Sequence, residues 1–179
     1  YFGEKMRNFL KILFKILFRI LGVSVVIFPI IGFVLLRSPL PDHSDEVRGL
    51  PLNDFVEVIR DERGVPHIYG TNIDDILFAQ GYVHAQDRFW QLEFWSHLST
   101  GRLASLIGEP GVGADLLFRT YGFNRIAEKE YEQMTPEMKN DLIQYARGIN
   151  AYINSRPQRK LSLEHFFLTF LNPDYVVDE

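Results

Sequence analysis

A long apolar run near the N-terminus constrains this chain more than any other feature. Residues 20–36, ILGVSVVIFPIIGFVLL, contain no charged side chain, and the apolar character begins near Phe9. A helix needs about 20 apolar residues to cross the hydrocarbon of a bilayer, with a working range of about 17–25. Pro29 does not exclude a spanning helix, because helices in lipid tolerate proline. The run therefore predicts one transmembrane helix.

Four cations precede this run at intervals of four residues and form one basic stripe on a helix. They are Arg7, Lys11, Lys15 and Arg19. Such a stripe suits an anionic membrane surface, and excess positive charge marks the cytoplasmic side. We therefore expect residues 1–37 to be a single-pass signal-anchor with a cytoplasmic N-terminus. It would contact the lipid bilayer through residues 9–36 and place the body on the extracytoplasmic (periplasmic or extracellular) side.

Two other interpretations of the apolar run stay open. One is a cleaved signal peptide, although residues 37–41, RSPLP, offer no small-x-small cleavage site. The other is a buried helix of a soluble core. Such a helix would have to bury four cations or leave them without partners. Residues 38–53 follow with three prolines and mixed charge, which predicts a semi-extended stalk between membrane and body.

Charge divides the chain sharply at the end of the apolar run. Residues 1–37 hold six basic residues and one acidic residue, and the remainder holds the other 13 of 19 basic and 22 of 23 acidic residues. The acidic body argues against nucleic acid as a partner. The absence of cysteine excludes disulfides and thiolate metal sites.

The body opens with the pattern of a β-hairpin. Residues 54–60, DFVEVIR, alternate and are rich in β-branched side chains, which predicts a strand. The turn residues 61–64 follow, and Gly64 is free to adopt a positive φ. Residues 65–70 resume an extended run in which Pro66 belongs at a strand start or a sheet edge.

Helical periodicity governs the rest of the body. Gly81 either weakens its helix or marks close packing, and Gly101 is a natural helix stop. Helices are predicted for residues 71–101, 102–108, a segment near Asp115, and 135–155. Thr71 or Asn72 would cap the first, and Thr135 would cap the last. Residues 162–171 are either a capped short helix or a buried segment. The predicted buried stripes are Ile76, Ala79, Val83, Ala85, Phe89, Leu92 and Trp95 on one long helix, and Met138, Leu142, Tyr145, Ile149 and Tyr152 or Ile153 on the other.

Candidate chemistry concentrates in residues 81–93, GYVHAQDRFWQLE. Pairs one helical turn apart are His84 and Arg88, Asp87 and Gln91, and Glu93 and His97, with Gln86 beside them. A catalytic or metal-binding helix is one interpretation, but a His-x-x-Asp pair supplies only two ligands. We favour polar side chains that bind neighbouring loops by charge-assisted hydrogen bonds. His67 is likewise expected to be packed and hydrogen-bonded rather than a base.

Other catalytic patterns are missing from the sequence. Ser96, Ser99, Ser105, Ser155 and Ser162 lie in no G-x-S-x-G elbow. Residues 108–113, GEPGVG, lack the Lys-Ser/Thr continuation of a phosphate loop. Local chemistry alone therefore predicts no assembled active site here.

Several linked motifs resemble a known family. RDERGVPHIYG, FAQGYVHAQDRFWQLE and GRLASLIG occur in order, followed by LIQYARGINAYINS and EHFFLTFLNPDY. Together they cover about residues 54–178 and resemble the start of the α chain in the penicillin acylase family of N-terminal-nucleophile hydrolases. We accordingly expect the chain to be a piece of a longer precursor, with residues 54–179 an incomplete α-chain portion.

The resemblance implies an α+β fold, part of a four-layer αββα architecture, and a precursor cut autocatalytically into α and β chains. The implied reaction is hydrolysis of a small N-acyl amide by a Ser that opens the β chain and uses its own α-amino group as base. The β chain is the implied partner. Calcium is possible in the complete enzyme, but its ligand and the residues of the acyl pocket fall beyond this stretch. The resemblance thus assigns no catalytic, cofactor-binding or metal residue here.

Two functions from other classes remain as alternatives. The chain could be a catalytically silent, single-pass accessory subunit of a membrane complex. Alternatively, residues 1–37 could be the functional part, a membrane-surface sensor that carries a scaffold.

Overall fold

The computed structural model describes residues 2–40, 43, 46–171 and 175–177. The chain divides into two compact units, residues 1–40 and residues 41–179. One long helix forms the first unit. Within the described residues, the second unit combines a two-stranded sheet with a set of packed helices, so it is α-rich.

Helix α1 spans Phe2–Arg37 and continues through Pro29. The part Phe14–Arg37 is long and apolar enough to cross a membrane, and none of it is buried inside the structure. Its apolar side chains are exposed, as Phe28 illustrates at 79%. By length and composition, both a membrane span and a signal sequence are compatible with this helix.

Strands β1 (Glu57–Arg60) and β2 (Pro66–Tyr69) form the predicted antiparallel hairpin. The register pairs Arg60 with Pro66. Pro66 thus begins its strand, a position where proline is tolerated because it cannot donate a ladder bond. β1 begins at residue 57 rather than at the predicted residue 54.

The hairpin turn is organised by one carboxylate. Asp61 accepts hydrogen bonds from the backbone N–H groups of Arg63 and Val65, both at 2.9 Å. Gly64 has the positive φ of 78° that the sequence anticipated, a conformation that costs glycine little.

Helix α2 spans Ile73–Ser99, and Asn72 caps it by accepting from the backbone N–H of Asp75 at 2.9 Å. Arg88, with φ −140° and ψ 30°, interrupts the helical geometry and kinks α2. No glycine or proline occupies this position, so the sequence gives no local warning of the kink.

Gly101 ends α2 as predicted, in a Schellman motif. Its own N–H donates to the carbonyl of Leu98 at 3.0 Å, and the N–H of Arg102 donates to the carbonyl of His97 at 2.7 Å. Gly101 has φ 68°, the left-handed conformation that this motif requires.

Three helices follow: α3 (Leu103–Ile107), α4 (Val112–Tyr121) and α5 (Phe123–Gln133). A short 3-10 turn precedes α4, so α4 begins earlier than the predicted helix near Asp115, and α5 was not predicted. Asp115 accepts from the first two N–H groups of α3 at 2.6 and 2.9 Å. A negative charge at the N-terminus of α3 also interacts favourably with the helix dipole.

The last two helices begin at side-chain caps. Thr135 accepts from the backbone N–H of Met138 at 3.3 Å and starts α6 (Pro136–Asn154), as predicted. Ser162 accepts from the backbone N–H of His165, also at 3.3 Å, and precedes α7 (Leu163–Leu171). Residues 162–171 are thus the capped short helix.

Helices α2 and α6 approach each other through glycine. A Cβ added to Gly81 would lie 2.0 Å from the carbonyl oxygen of Tyr145, and one added to Gly148 would lie 1.9 Å from that of Phe78. Real Cβ atoms do not approach oxygen so closely, so only glycine permits this packing. The close-packing interpretation of Gly81 is confirmed.

The core forms where α2 and α6 meet the chain that follows them. Three predicted core residues are wrong: Trp95, Met138 and Leu142 are exposed, because no described element covers those parts of their helices. The central buried cluster is Ala85, Phe89, Tyr152, Ile153, Leu161 and Val177.

Candidate functional site

The guanidinium of Arg60 connects the hairpin to α2. Its two terminal nitrogens donate to the two carboxylate oxygens of Asp87 at 2.8 Å each. They also donate to Gln86 at 3.1 Å and to the carbonyl of Gly64 at 3.2 Å. Bidentate pairs of this kind are among the stronger hydrogen bonds in proteins. This Arg60–Asp87 clamp supports the interpretation that polar residues of α2 bind neighbouring loops.

A second polar contact lies at the first turn of α2, where Asp75 is buried. Its carboxylate accepts from the backbone N–H of Asn53 at 3.0 and 3.1 Å and from that of Asp54 at 2.8 Å. The side-chain amide of Asn72 adds a bond of 2.6 Å. The end of the predicted stalk is therefore bound to the body.

These bonds set the ionisation of Asp75. Burial alone would raise the pKa of its carboxyl group, but the hydrogen bonds from Asn53, Asn72 and Asp54 outweigh burial and hold the pKa below its usual 3.8. The cradle of donors was missed, because those donors lie about 20 residues earlier in the chain.

The two candidate histidines do not meet. His84 bonds through Nδ1 to the hydroxyl of Tyr145 on α6, and burial raises the pKa of that hydroxyl. His67 is exposed on the outer face of β2, with its Nε2 3.7 Å from Asp61. His67 was expected to be packed and hydrogen-bonded rather than a base; it has Asp61 as a polar neighbour but is not packed, because the alternation of β2 turns its neighbours Pro66 and Ile68 inward instead.

A buried polar network holds α7 against α2. The imidazole of His165 is fully buried; its Nε2 lies 2.5 Å from Glu93, and its Nδ1 lies 2.9 Å from the hydroxyl of Ser162. The hydroxyl of Tyr175 donates to the other carboxylate oxygen of Glu93. We call Glu93, Ser162, His165 and Tyr175 the buried network.

The order Ser162–His165–Glu93 has the connectivity of a nucleophile, a base and an orienting acid. Two observations argue against that role. No substrate can reach an imidazole that is 0% exposed, and the Ser162 oxygen already caps α7. The network therefore serves to fix α7. The predicted pair of Glu93 and His97 forms differently, because His97 Nδ1 contacts the backbone carbonyl of Glu93 at 2.9 Å.

Three of the remaining serines are hydrogen-bonded to the helix backbone. The hydroxyls of Ser99, Ser105 and Ser155 each donate to the carbonyl three residues earlier, at 3.1, 2.6 and 2.7 Å. Ser96 is exposed, and its carbonyl accepts one of these bonds.

A cleft of about 310 Å³ opens between the segment before the hairpin, β1 and α2. Apolar side chains such as Leu52, Phe78 and Tyr82 line it, and Arg60 and Gln86 lie at its edge. Pockets of this size hold small ligands. The cleft can accept an apolar group, and the described residues that line it include no serine or threonine. Across the described part of the chain, no three His, Asp or Glu residues group as metal ligands would.

The fold of this chain has a counterpart among solved structures. The chain matches a thermostable penicillin G acylase from Alcaligenes faecalis with a TM-score of 0.52 and 21% identity, over 67% of this chain and 72% of that one. The fold is therefore that of a penicillin acylase fragment. The family model described as penicillin amidase matches residues 55–177. The chain belongs to the penicillin amidase family.

Curated relatives agree with this assignment. Penicillin acylase 2 proenzyme of Pseudomonas sp. (strain SE83) is 35% identical over 120 residues, which cover 67% of this chain and 16% of the relative. Acyl-homoserine lactone acylase QuiP of Pseudomonas putida is 38% identical over 107 residues, 60% of this chain and 13% of the relative. Penicillin G acylase of Escherichia coli is 32% identical over 109 residues, which cover 59% of this chain and 13% of the relative. The chain thus spans about a sixth or less of these relatives.

Proposed function

We propose that this chain is the α-chain part of an amidohydrolase that cleaves a linear, non-peptide N-acyl amide. The observation that carries the proposal is the family match over residues 55–177, nearly the whole body. The relatives are named as acylases of penicillins and of acyl-homoserine lactones. In both substrate classes an acyl group is bound to an amide nitrogen, so a small N-acyl amide is the proposed substrate.

In this proposal the reacting groups lie on the β chain. A serine hydroxyl is a weak nucleophile until a base removes its proton. The proposed base is the α-amino group of the same serine, freed by autocatalytic cleavage of the precursor. Hydrogen-bond donors of the β chain would stabilise the tetrahedral intermediate. No catalytic role is assigned to a residue of this chain.

The proposed contribution of this chain is structural. The Arg60–Asp87 clamp and the Asp75 cradle orient the hairpin, while Phe55, Ile59 and Tyr69 stay exposed around it. Exposed apolar side chains beside a two-stranded sheet favour further strands that cover them. We propose that the β chain supplies those strands and completes the four-layer αββα core.

We further propose that residues 1–37 are a signal-anchor, 38–53 a linker and 54–179 the α-chain portion, with the body extracytoplasmic. The exposed apolar surface of α1 and the positive charge at its start support this arrangement. Calcium is proposed for the complete enzyme only. The residues described here do not supply a ligand set for it, so no step of the reaction is assigned to calcium.

Mass spectrometry of the complete protein, purified from its membrane, tests the proposal. We expect two chains from one precursor, with the β chain beginning at Ser. Replacing that Ser by Ala should leave the precursor uncut and abolish amine release from penicillin G and acyl-homoserine lactones. An uncut wild-type protein without hydrolase activity would instead identify a silent accessory subunit.

Deletion of residues 1–37 separates anchoring from other roles. If the helix only localises the enzyme, the truncated protein should be soluble and keep full hydrolase activity. Loss of activity in a folded, processed protein would give residues 1–37 a further role.

A further inference from the structure

Helix α1 is longer than a bilayer requires. Its 36 residues correspond to about 54 Å at roughly 1.5 Å per residue, whereas the hydrocarbon core is about 30 Å thick. The uncharged residues 20–36 account for about 26 Å of this length. Residues 2–19 therefore extend a further ~27 Å beyond the part that spans.

Residues 2–19 have two chemically distinct faces. At about 100° per residue the cations Lys5 to Arg19 occupy an arc of about 160°, interrupted by Ile12 and Phe18. A basic face opposite an apolar one is typical of helices that lie in a membrane interface. The apolar positions on the opposite face are Phe2, Met6, Phe9, Leu10, Leu13 and Leu17.

The boundary between the two parts of α1 has the features of a bend site. Gly22 lies there, and the hydroxyl of Ser24 donates to the backbone carbonyl of Leu21 at 2.9 Å. Gly and Ser pairs, and side-chain bonds to the helix backbone, are recurrent causes of helix bending. No atom lies within 4 Å of a Cβ built on Gly22, so no packing opposes a bend at that point.

We propose that residues 2–19 bind an anionic phospholipid surface as an interfacial helix that bends away from the span where the charged segment ends, just before Gly22. Charge complementarity selects this ligand, because the segment holds five cations and one anion and basic residues bind anionic leaflets. The inference rests on the membrane anchor proposed above, since the span brings the segment to the lipid surface.

The absence of cysteine in the chain allows single spin labels to test the proposal. The full chain is reconstituted into vesicles of phosphatidylcholine, with or without phosphatidylglycerol. The rates at which each spin label collides with oxygen and with a water-soluble nickel chelate report whether the label is in lipid or in water. One label is at Leu13→Cys, on the apolar face, and another is at Asn8→Cys, on the basic face. Val26→Cys reports the span.

With phosphatidylglycerol we expect the Leu13 label in lipid and the Asn8 label in water. In phosphatidylcholine alone, or at high salt, both should be in water, while the Val26 label stays in lipid throughout. Replacing Arg7, Lys11, Lys15 and Arg19 by Gln should abolish insertion at position 13. The matched control, Arg7→Lys with Arg19→Lys, keeps the charge and should keep the insertion.

A Leu13 label that stays in water on anionic vesicles, with Val26 in lipid, would overturn this inference alone. So would insertion at position 13 that ignores both lipid charge and the Gln substitutions. A Val26 label in water would overturn the proposed anchor and this inference with it.

Discussion

The helix pair α2–α6 and the β1–β2 hairpin are held in place by opposite means. The helices meet backbone to backbone at Gly81 and Gly148 and bury a shared core. The hairpin leaves large apolar side chains exposed, Ile59 at 49% and Tyr69 at 56%. It is attached to α2 through Arg60, and the segment just before it is attached through Asp75. The helix pair is thus stabilised by its own packing, whereas hydrogen bonds orient a hairpin whose apolar surface is still uncovered.

The largest effect should follow a change in the helix contact. Gly148→Ala drives a Cβ into the carbonyl of Phe78, and we expect a loss of about 4 kcal/mol of unfolding free energy, at the upper end of overpacking effects. Chemical denaturation of the chain in mild detergent measures it. Gly113→Ala is the control, because nothing lies within 4 Å of a Cβ at that helical position, and it should stabilise by up to about 1 kcal/mol.

The buried network should be the next most sensitive. Glu93→Gln replaces a buried carboxylate oxygen by an amide group and leaves buried polar atoms of the network without their partner, so we expect a loss of about 3 kcal/mol. Glu130→Gln, on the exposed surface of α5, should change stability by less than about 0.5 kcal/mol. Equal effects of the two substitutions on denaturation would contradict the role given to the network.

On the hairpin side, Asp75→Asn should cost roughly 2 kcal/mol at neutral pH. Because folding holds the pKa of Asp75 below 3.8, its charge stabilises the folded state above pH 3.8 and loses that effect as pH falls through the lower, folded value. The stability gap between wild type and variant should therefore narrow in acid. Asp74→Asn keeps the cradle intact and changes only the 2.8 Å bond from the side-chain amide of Asn140, so it is the comparison variant in a pH series of denaturation curves.

The smallest global effect is expected from the clamp. Arg60→Gln removes the bidentate pair with Asp87 and should cost about 1 kcal/mol, whereas Arg63→Gln in the exposed turn should cost almost nothing. Hydrogen exchange should accelerate in residues 57–69 and not in α6. Uniform acceleration in both elements would show that the hairpin and the helix pair are not held separately.

Local signals carried most of the correct predictions. Asn72, Thr135, Gly64 and Gly101 act where the sequence placed them, because a cap or a turn depends on a few neighbouring residues. The family motifs likewise identified the fold and the family. Burial of a helix face depends on which other elements pack against it. Trp95 has the helical spacing of a core residue but is exposed for this reason.

The sequence predicted the type of polar contact but not which residues form it. The sequence favoured charge-assisted hydrogen bonds that involve Asp87 and Gln86, but it did not identify Arg60 as the donor. Glu93 and His165 are 72 residues apart, and nothing in either segment specifies the other. Such pairs depend on tertiary packing, as does the kink at Arg88, where tertiary context overrides helical preference.

The mutual contact of Gly81 and Gly148 also removes a degree of freedom. Carbonyl oxygens lie where side chains would otherwise stand, so neither helix can slide or rotate without driving backbone atoms together. Close-packed elements of this kind pass strain on rather than absorb it. We therefore expect a displacement of the first half of α2, the part before the kink at Arg88, to move α6 with it through the Gly81–Gly148 contact.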